Sequence, residues 1–500
     1  MTAWLLVAPV LLPVLVAALS FALSGSRITQ QVLGVSVLTL TLTDAVVLLV
    51  LAQRDGPQAA SMGGWPAPLG IALVADRLSA LLLTVSLAVA LAVLVFAIGQ
   101  GNADFGESSP VAFHPAYLLL TAGVGMAFLA GDLFNLFVAF EMMLTASYVL
   151  LSLGVGSGRI RAGMTYTITS LTSSLLFLTA IALCYAATGT VNMADLSLRM
   201  TQAPDGVAAT LSVLLLVVFG IKAAMVPLHF WLPDSYPTAP TPITAIFAAL
   251  LTKVGVYAMV RTQTLIFPRD DVWLLLTIVA VLTLLVGVLG AIAQDDLNRL
   301  LSFVLVSHIG FMLFGLALFD EAGLTGTVLY TAHHIVVQAG LFLVSGIVVR
   351  LSGTASLASL THRAPPPPVV AGLFMLPALA LAGIPPTSGF VAKIVLLQAG
   401  GERSGWPVTV LIAAALLTSL LTLYAMTRVW RAVFSAGPDR PAPRREAGNV
   451  LMLAATVGIV GLGVAIAVGA GLLGEISEAA ARDLVDPDGY REAVLGGGAG

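Results

Sequence analysis

The chain has 500 residues, 59% of them hydrophobic and only 9% charged, with a formal net charge of −3. A soluble protein carries about 25% charged residues, so this composition excludes a water-soluble domain, and no basic tract points to nucleic acid. The single cysteine, Cys184, excludes disulfides and cysteine–metal centres.

Apolar runs of about 18 or more residues mark transmembrane helices. Fourteen are predicted, beginning near Ala3, Gln30, Leu78, Pro115, Leu133, Ala162, Val207, Thr241, Val272, Leu300, Leu324, Val369, Trp406 and Asn449. The fold class is therefore an all-α polytopic membrane protein. The first run, "WLLVAPVLLPVLVAALSFAL", has no basic leader and is longer than a signal-peptide core, so it reads as a retained helix. Asp44 in the second helix belongs to a cation route or to a cap. Asp132, in the turn before the fifth helix, reads as a cap.

In the fifth helix Glu141 lies about 12 Å from the start, and Thr145, Tyr148 and Ser152 follow it at helical period. The sixth helix carries Thr165, Thr169 and Thr172 on one side. Such hydroxyls suit a wet interface, although ordinary Ser/Thr packing explains them equally well. The seventh segment, "VFGIKAAMVPLHFWLPDSYP", places Lys222 about 22 Å along its helix. Pro227 and Pro233 then break it, with His229 and Phe230 between them. Lys253 lies about 18 Å into the eighth helix.

His308 of the tenth helix is a proton-relay candidate or a hydrogen-bonded core histidine. In the eleventh, "TGTVLYTAHHIVVQAGLFLVSG", Thr327, Tyr330, His334, Gln338 and Ser345 share one face. His333 points about 100° away, so the two histidines do not chelate one metal ion. A histidine titrates near neutrality, which makes His334 the relay candidate on this helix. The twelfth segment, "LALAGIPPTSGFVAKIVLLQ", is broken at Gly383, Pro385, Pro386 and Gly389 just before Lys393. In the last helix "GLGVAIAVGAG" has spaced glycines but no preceding strand, so it is a packing surface rather than a dinucleotide loop.

All nineteen arginines fall at or near predicted membrane boundaries, whereas all three lysines fall inside apolar segments. An ionised side chain at that depth costs roughly 2.5–3.5 kcal/mol on insertion scales. Arginine keeps its charge in almost any setting, but a buried lysine can release its proton. The bland alternative is that these lysines satisfy helix-end carbonyls. The basic stretch "RVWRAVFSAGPDRPAPRRE" places its own side in the cytoplasm and the N-terminus outside.

Two broken segments, each with a lysine, lie 171 residues apart (393 − 222). That arrangement predicts two inverted five-helix repeats with ion sites at the breaks. The expected divisions are residues 1–114 (helices 1–3), 115–262 (first repeat), 263–434 (second repeat), 435–474 (linker and helix 14) and a flexible tail at 475–500.

Together these segments resemble the antiporter-like subunits shared by Mrp-type multisubunit cation/proton antiporters and the membrane arm of respiratory NADH dehydrogenase. The motifs are "FEMMLTASYVLL" with Glu141, Lys222 before "PLHFWLPD", Lys253 in "ALLTKVGVYAMVR" and Lys393 after "GIPPTSGF". Gln338 stands where many relatives have lysine. The segment "GGWPAPLGI" at 63–71 and the length look most like the D-type branch of the Mrp antiporter subunits.

The resemblance implies a proton path through Glu141, Lys222, Lys253, His334 and Lys393, with Glu141 and Lys222 as an ion pair. His229, His308, His333, Asp44 and Asp132 are accessory candidates. It implies a monovalent cation as the exchanged ion, other antiporter subunits as partners, a bacterial plasma-membrane location, and no cofactor or resident metal. A proton-pumping subunit of an NADH dehydrogenase or membrane hydrogenase is the alternative. A stand-alone solute carrier or assembly scaffold is the alternative of another class; a scaffold would not need buried charges.

Overall fold

The computed structural model describes residues 2–101, 110–153, 157–267, 272–435 and 449–496. Among them thirteen helices are long and apolar enough to cross a membrane. The fourteenth expected span is present as two shorter apolar helices, Pro368–Ala382 and Ser388–Gly401. Most of the arginine-rich stretch, after Ser435, lies outside the described residues.

The N-terminal part comprises α1 (Thr2–Ala22), α2 (Arg27–Asp55) and α3 (Arg77–Gln100). An unanticipated hairpin of β1 (Gln58–Ser61) and β2 (Ala72–Ala75) joins the last two, with Gln58 opposite Ala75. The first repeat runs through α4 (Pro110–Leu129), α5 (Leu133–Ser152), α6 (Ser157–Thr188), the short α7 (Met193–Arg199), α8 (Asp205–Ala223) and α9 (Trp231–Ser235). It closes with α10 (Thr241–Ile246), a π-helical turn at Phe247–Leu251, and α11 (Thr252–Leu265). The second repeat comprises α12 (Trp273–Ile292), α13 (Leu297–Leu318), α14 (Glu321–Ser352), α15 (Leu357–Leu360), α16 (Pro368–Ala382), α17 (Ser388–Gly401) and α18 (Trp406–Val433).

Each repeat contributes five spans when α8–α9, α10–α11 and α16–α17 are taken as single crossings. Five is odd, so the second repeat enters the membrane from the opposite side. Equivalent landmarks recur at a constant offset: Asp132 bridges Asn192 in the first repeat, and Asp296 bridges Ser356 in the second. Both members are displaced by 164 residues (296 − 132 and 356 − 192). Asp132 and Asp296 also play the same local role, since each accepts the backbone N–H three residues on and so caps α5 and α13. The reading of Asp132 as a cap is therefore what the geometry has.

The core sits where the repeats meet. Residues 323–348 of α14 are all buried, as are residues 242–265 of the α10–α11 span. The outer helices α1, α2, α6, α18 and α19 (Val450–Val468) keep wide apolar faces exposed. That inversion of the soluble pattern is what a lipid solvent demands.

The expectation of a flexible tail from residue 475 is corrected. Residues 470–495 form α20 (Ala470–Val485) and α21 (Asp488–Leu495). Their buried positions Ser477, Ala480, Ala481 and Leu484, then Tyr490 and Val494, recur at helical spacing and dock on the bundle. The dock is polar at its edges. Arg77 donates both ways to Asp483 at 2.7 and 2.8 Å, and Arg491 donates to Ser197 at 2.9 Å. Arg261, at the end of α11, pairs with Asp76 and stacks over the Tyr490 ring at 5.0 Å.

The Arg261 and Asp76 side chains are only 4% and 3% exposed. Asp76 also caps α3 in a reciprocal box with Ser79. Removing one member of a buried pair strands the other charge, so Asp76→Asn is expected to destabilise the fold by about 3 kcal/mol, read as a lowered melting temperature in detergent. Asp132 makes a pH-dependent contribution. Burial lifts its carboxyl to about 6, against about 3.9 in an unfolded chain. Between those values the folded chain holds a proton that the unfolded chain has released, so stability falls as pH rises and the loss is complete above the window. Asparagine caps as well as aspartate. Asp132→Asn is expected to flatten this slope and to add roughly 2–3 kcal/mol above pH 6, checked by denaturation across pH.

Candidate functional site

The two broken spans present helix ends inside the membrane. α8 ends at Ala224 and α16 at Gly383, both in the left-handed region with φ of 61° and 83°. Each break frees carbonyls and amides that lipid cannot satisfy. In the first break the Trp231 indole donates to the Ile221 carbonyl at 2.9 Å, and the Val226 N–H donates to Thr283 Oγ1 at 3.1 Å. In the second, Lys393 Nζ donates to the Leu381 and Ala382 carbonyls at 2.6 and 3.2 Å and to Ser419 Oγ at 3.0 Å. It also sits 4.5 Å above the Phe311 ring. The carbonyl-satisfying role is thus real for this lysine, and the negative end of a half-helix is a favourable place for an ammonium.

Lys253 follows the same rule at a different irregularity. Its Nζ donates to the Ala248 carbonyl at 2.6 Å, within the π turn that precedes it. Single π turns within α-helices recur at functional sites. Lys222 is held more loosely, donating to the Ser170 carbonyl and Ser174 Oγ at 3.4 Å each. Beside it a cavity of about 20 Å³, lined by Phe140, Tyr166, Ser170, Lys222 and Trp231, has room for a single water. The three lysines are 7%, 0% and 5% exposed in chain order, so none faces bulk solvent.

The expected Glu141–Lys222 ion pair is not closed in this structure. Glu141 makes no ion pair among the described residues and its buried Oε1 has no partner, although it lies within electrostatic reach of Lys222. The hydroxyl stripes also differ from expectation. Thr145, Ser152 and Thr172 are exposed, and Thr165 and Thr172 bond to their own helix. The hydroxyls facing the first lysine come from the other side of α6, at Tyr166, Ser170 and Ser174, where sequence reasoning did not place them. Their spacing of four residues was the available signal.

The imidazoles form a cluster between Lys253 and Lys393. His308 Nδ1 lies 2.7 Å from the Tyr330 hydroxyl and its Nε2 3.3 Å from Thr422 Oγ1. His334 lies beside His308 with ring centroids 5.5 Å apart and the rings tilted by 36°, and both of its nitrogens are buried without partners among the described residues. Lys253 and Lys393 both lie within electrostatic reach of His334 and His308. His333 turns away from this pair, as its position predicts, and its Nδ1 meets Ser388 Oγ at 2.8 Å. Gln338, the departure from the lysine of many relatives, donates to the Leu301 carbonyl at 3.0 Å.

Other candidates fall away from the axis. Asp44 sits on the peripheral α2, and His229 packs half-buried near Phe303. No side-chain hydrogen bond joins Lys222 to Lys253 among the described residues. The two are linked through backbone instead, because Gly255 brings α11 against the Lys222–Ala223 peptide, where a Cβ would meet Ala223 N at 2.7 Å.

A family model described as NADH:quinone oxidoreductase/Mrp antiporter, TM, matches residues 130–422. The chain belongs to that family. It is 36% identical to the D-type subunit of the Na(+)/H(+) antiporter of Alkalihalophilus pseudofirmus, over 98% of this chain and 99% of that one. It is 35% identical to the corresponding D-type chain of the Na(+)/H(+) antiporter of Bacillus subtilis, over 97% and 98%. Among solved structures, a chain of the Mrp complex from Dietzia sp. superposes with a TM-score of 0.91 at 31% identity over 99% of both chains. A chain of respiratory complex I from Thermus thermophilus gives 0.81 at 26% identity over 96% and 99%. Within the family, the chain therefore sits with the D-type branch of the Mrp antiporters.

Gly383 is where backbone and site are most tightly bound together. An added Cβ there would lie 2.8 Å from Lys393 Cδ and would hold an unfavourable positive φ. Gly383→Ala is expected to cost roughly 1–2 kcal/mol from the backbone alone, and more through displacement of the lysine. Gly372→Ala, on the same helix with nothing within 4 Å of an added Cβ, is expected to be neutral or stabilising. Thermal unfolding of the two variants checks the difference.

Proposed function

We propose that the chain is the proton-translocating subunit of a multisubunit Na+/H+ antiporter in a bacterial plasma membrane, working as a transporter component rather than an enzyme. The observation that carries this reading is the set of three buried amines held by backbone or hydroxyl oxygens, none of them in an ion pair among the described residues. Partner subunits of the same complex supply the rest of the antiporter, in keeping with the names of the relatives. The nearer likeness to the Mrp chain favours this assignment over a proton-pumping subunit of a respiratory complex.

The path runs from Glu141 and Lys222 through Lys253 and His334 to Lys393. A carboxylate next to an amine favours the charged form, so approach of Glu141 to Lys222 retains the proton and separation releases it. The cavity beside Lys222 holds a water for the first transfer, and the His308–Tyr330 pair orients the imidazoles for the later ones. Carbonyl acceptors suit this work because they stabilise an ammonium without trapping it as an ion pair would. Ser388 positions His333 at the far break, close to Lys393.

Everted vesicles carrying the assembled complex test the scheme. Lys222→Ala is expected to lower sodium-driven proton exchange at least tenfold while the content of each subunit stays unchanged; exchange at the normal rate overturns the path. Glu141→Gln separates transport from scaffolding, because a scaffold keeps both complex and flux whereas a proton path keeps only the complex. Replacing sodium by potassium in the same assay identifies the exchanged cation.

A further inference from the structure

At the end of α18 a cavity of about 400 Å³ opens between α18, α15 and the turn before α13. Its polar lining is Asp295, Thr361, Tyr424, Thr427, Arg428 and Arg431. Arg428 is anchored by donating to the Ile292 carbonyl at the end of α12. Arg431 is exposed, and its guanidinium has no partner among the described residues. Asp295 is turned toward its own chain, accepting from Ser356 Oγ at 2.8 Å and from the Ala358 N–H at 3.1 Å. Two arginines against one occupied carboxylate leave the cavity net positive.

The same helix face continues into the membrane as an apolar stripe. Tyr424, Leu420 and Leu416 follow one another at four-residue spacing, and all three are exposed. From Arg431 to Leu420 is about 16 Å along the helix, close to the depth of one leaflet's hydrocarbon, about 15 Å. A tyrosine near the polar end is where interfacial aromatics lie. Basic side chains at one depth, an aromatic below them and a lipid-length apolar track below that match the outline of one phospholipid molecule.

We propose that this cavity binds the headgroup of an anionic phospholipid, with its phosphate on Arg431 and Arg428 and its acyl chains along Leu420 and Leu416. The positive-inside rule puts this end of α18 in the cytoplasmic leaflet, where anionic lipid attracts basic side chains. The net positive lining selects an anionic headgroup over a zwitterionic one. Arg428, fixed to the end of α12, ties the bound lipid to the first helix of the second repeat.

The test uses the purified complex, stripped of lipid and titrated with phosphatidylglycerol or phosphatidylcholine under native mass spectrometry. Wild-type complex is expected to retain phosphatidylglycerol preferentially. Arg431→Gln is expected to weaken that binding about fivefold, the ratio implied by one lost basic charge at a membrane surface, and Arg431→Lys to restore most of it. Equal binding of the two lipids, or unchanged affinity in Arg431→Gln, overturns the proposal. So does displacement of the lipid by inorganic phosphate at constant ionic strength, which marks a free-anion site. A photo-cross-linker at Thr427 distinguishes the remaining case: a lipid adduct supports the proposal, and an adduct with another subunit of the complex overturns it.

Discussion

Three amines lie inside a low-dielectric bundle, and each must find oxygen acceptors or lose its charge. Lys393 bonds the carbonyls at the end of α16, Lys253 bonds a carbonyl of the π turn, and Lys222 reaches a carbonyl and a hydroxyl of α6. Two of the three draw on irregular backbone, the end of α16 and the π turn, whereas the carbonyl that Lys222 meets, Ser170, lies within the regular α6 and uses its second lone pair. For Lys253 and Lys393 the buried amine and the irregular backbone therefore support each other.

The surrounding architecture keeps those irregularities dry and fixed. α14 crosses the centre buried over residues 323–348 and carries Tyr330, His333 and His334 between the elements that bear Lys253 and Lys393. Gly255 allows α11 to touch the broken end of α8. At one membrane surface α20 and α21 close over the ends of α3, α7 and α11 through Asp483, Tyr490 and Arg491. The acids at helix starts, Asp76, Asp132, Asp296 and Asp320, are largely spent on capping. The carboxylate that remains uncommitted within the spans beside the first lysine is Glu141.

Much of this was legible because the informative residues break a strong local rule. A lysine within an apolar run, or a proline pair in mid-span, carries a penalty that composition alone exposes, so Lys222, Lys253, Lys393 and both breaks could be placed from sequence. The histidine faces of α14 followed from helical period. What stayed hidden depends on which side of a helix meets its neighbour. In α6 hydroxyls occur on several faces, and only packing decides that Ser170 and Ser174, not Thr165 and Thr172, meet Lys222. The Arg261–Asp76 pair joins residues 185 positions apart and leaves no local trace. The tail misled through its terminal glycines, while the helical spacing of Ala480, Ala481 and Leu484 was present but short.

The half-helices α8 and α16 both terminate at their carboxyl ends within the membrane, and the repeats that contain them are of inverted topology, as a two-fold axis in the membrane plane would relate them. On the proposed path a positive charge meets a negative helix end in each half, the two ends facing opposite sides of the membrane. Two such ends by themselves favour no direction. Any vectorial bias has to arise where the halves are unlike, with an amine before the interruption in one and after it in the other, or from the flanking chains.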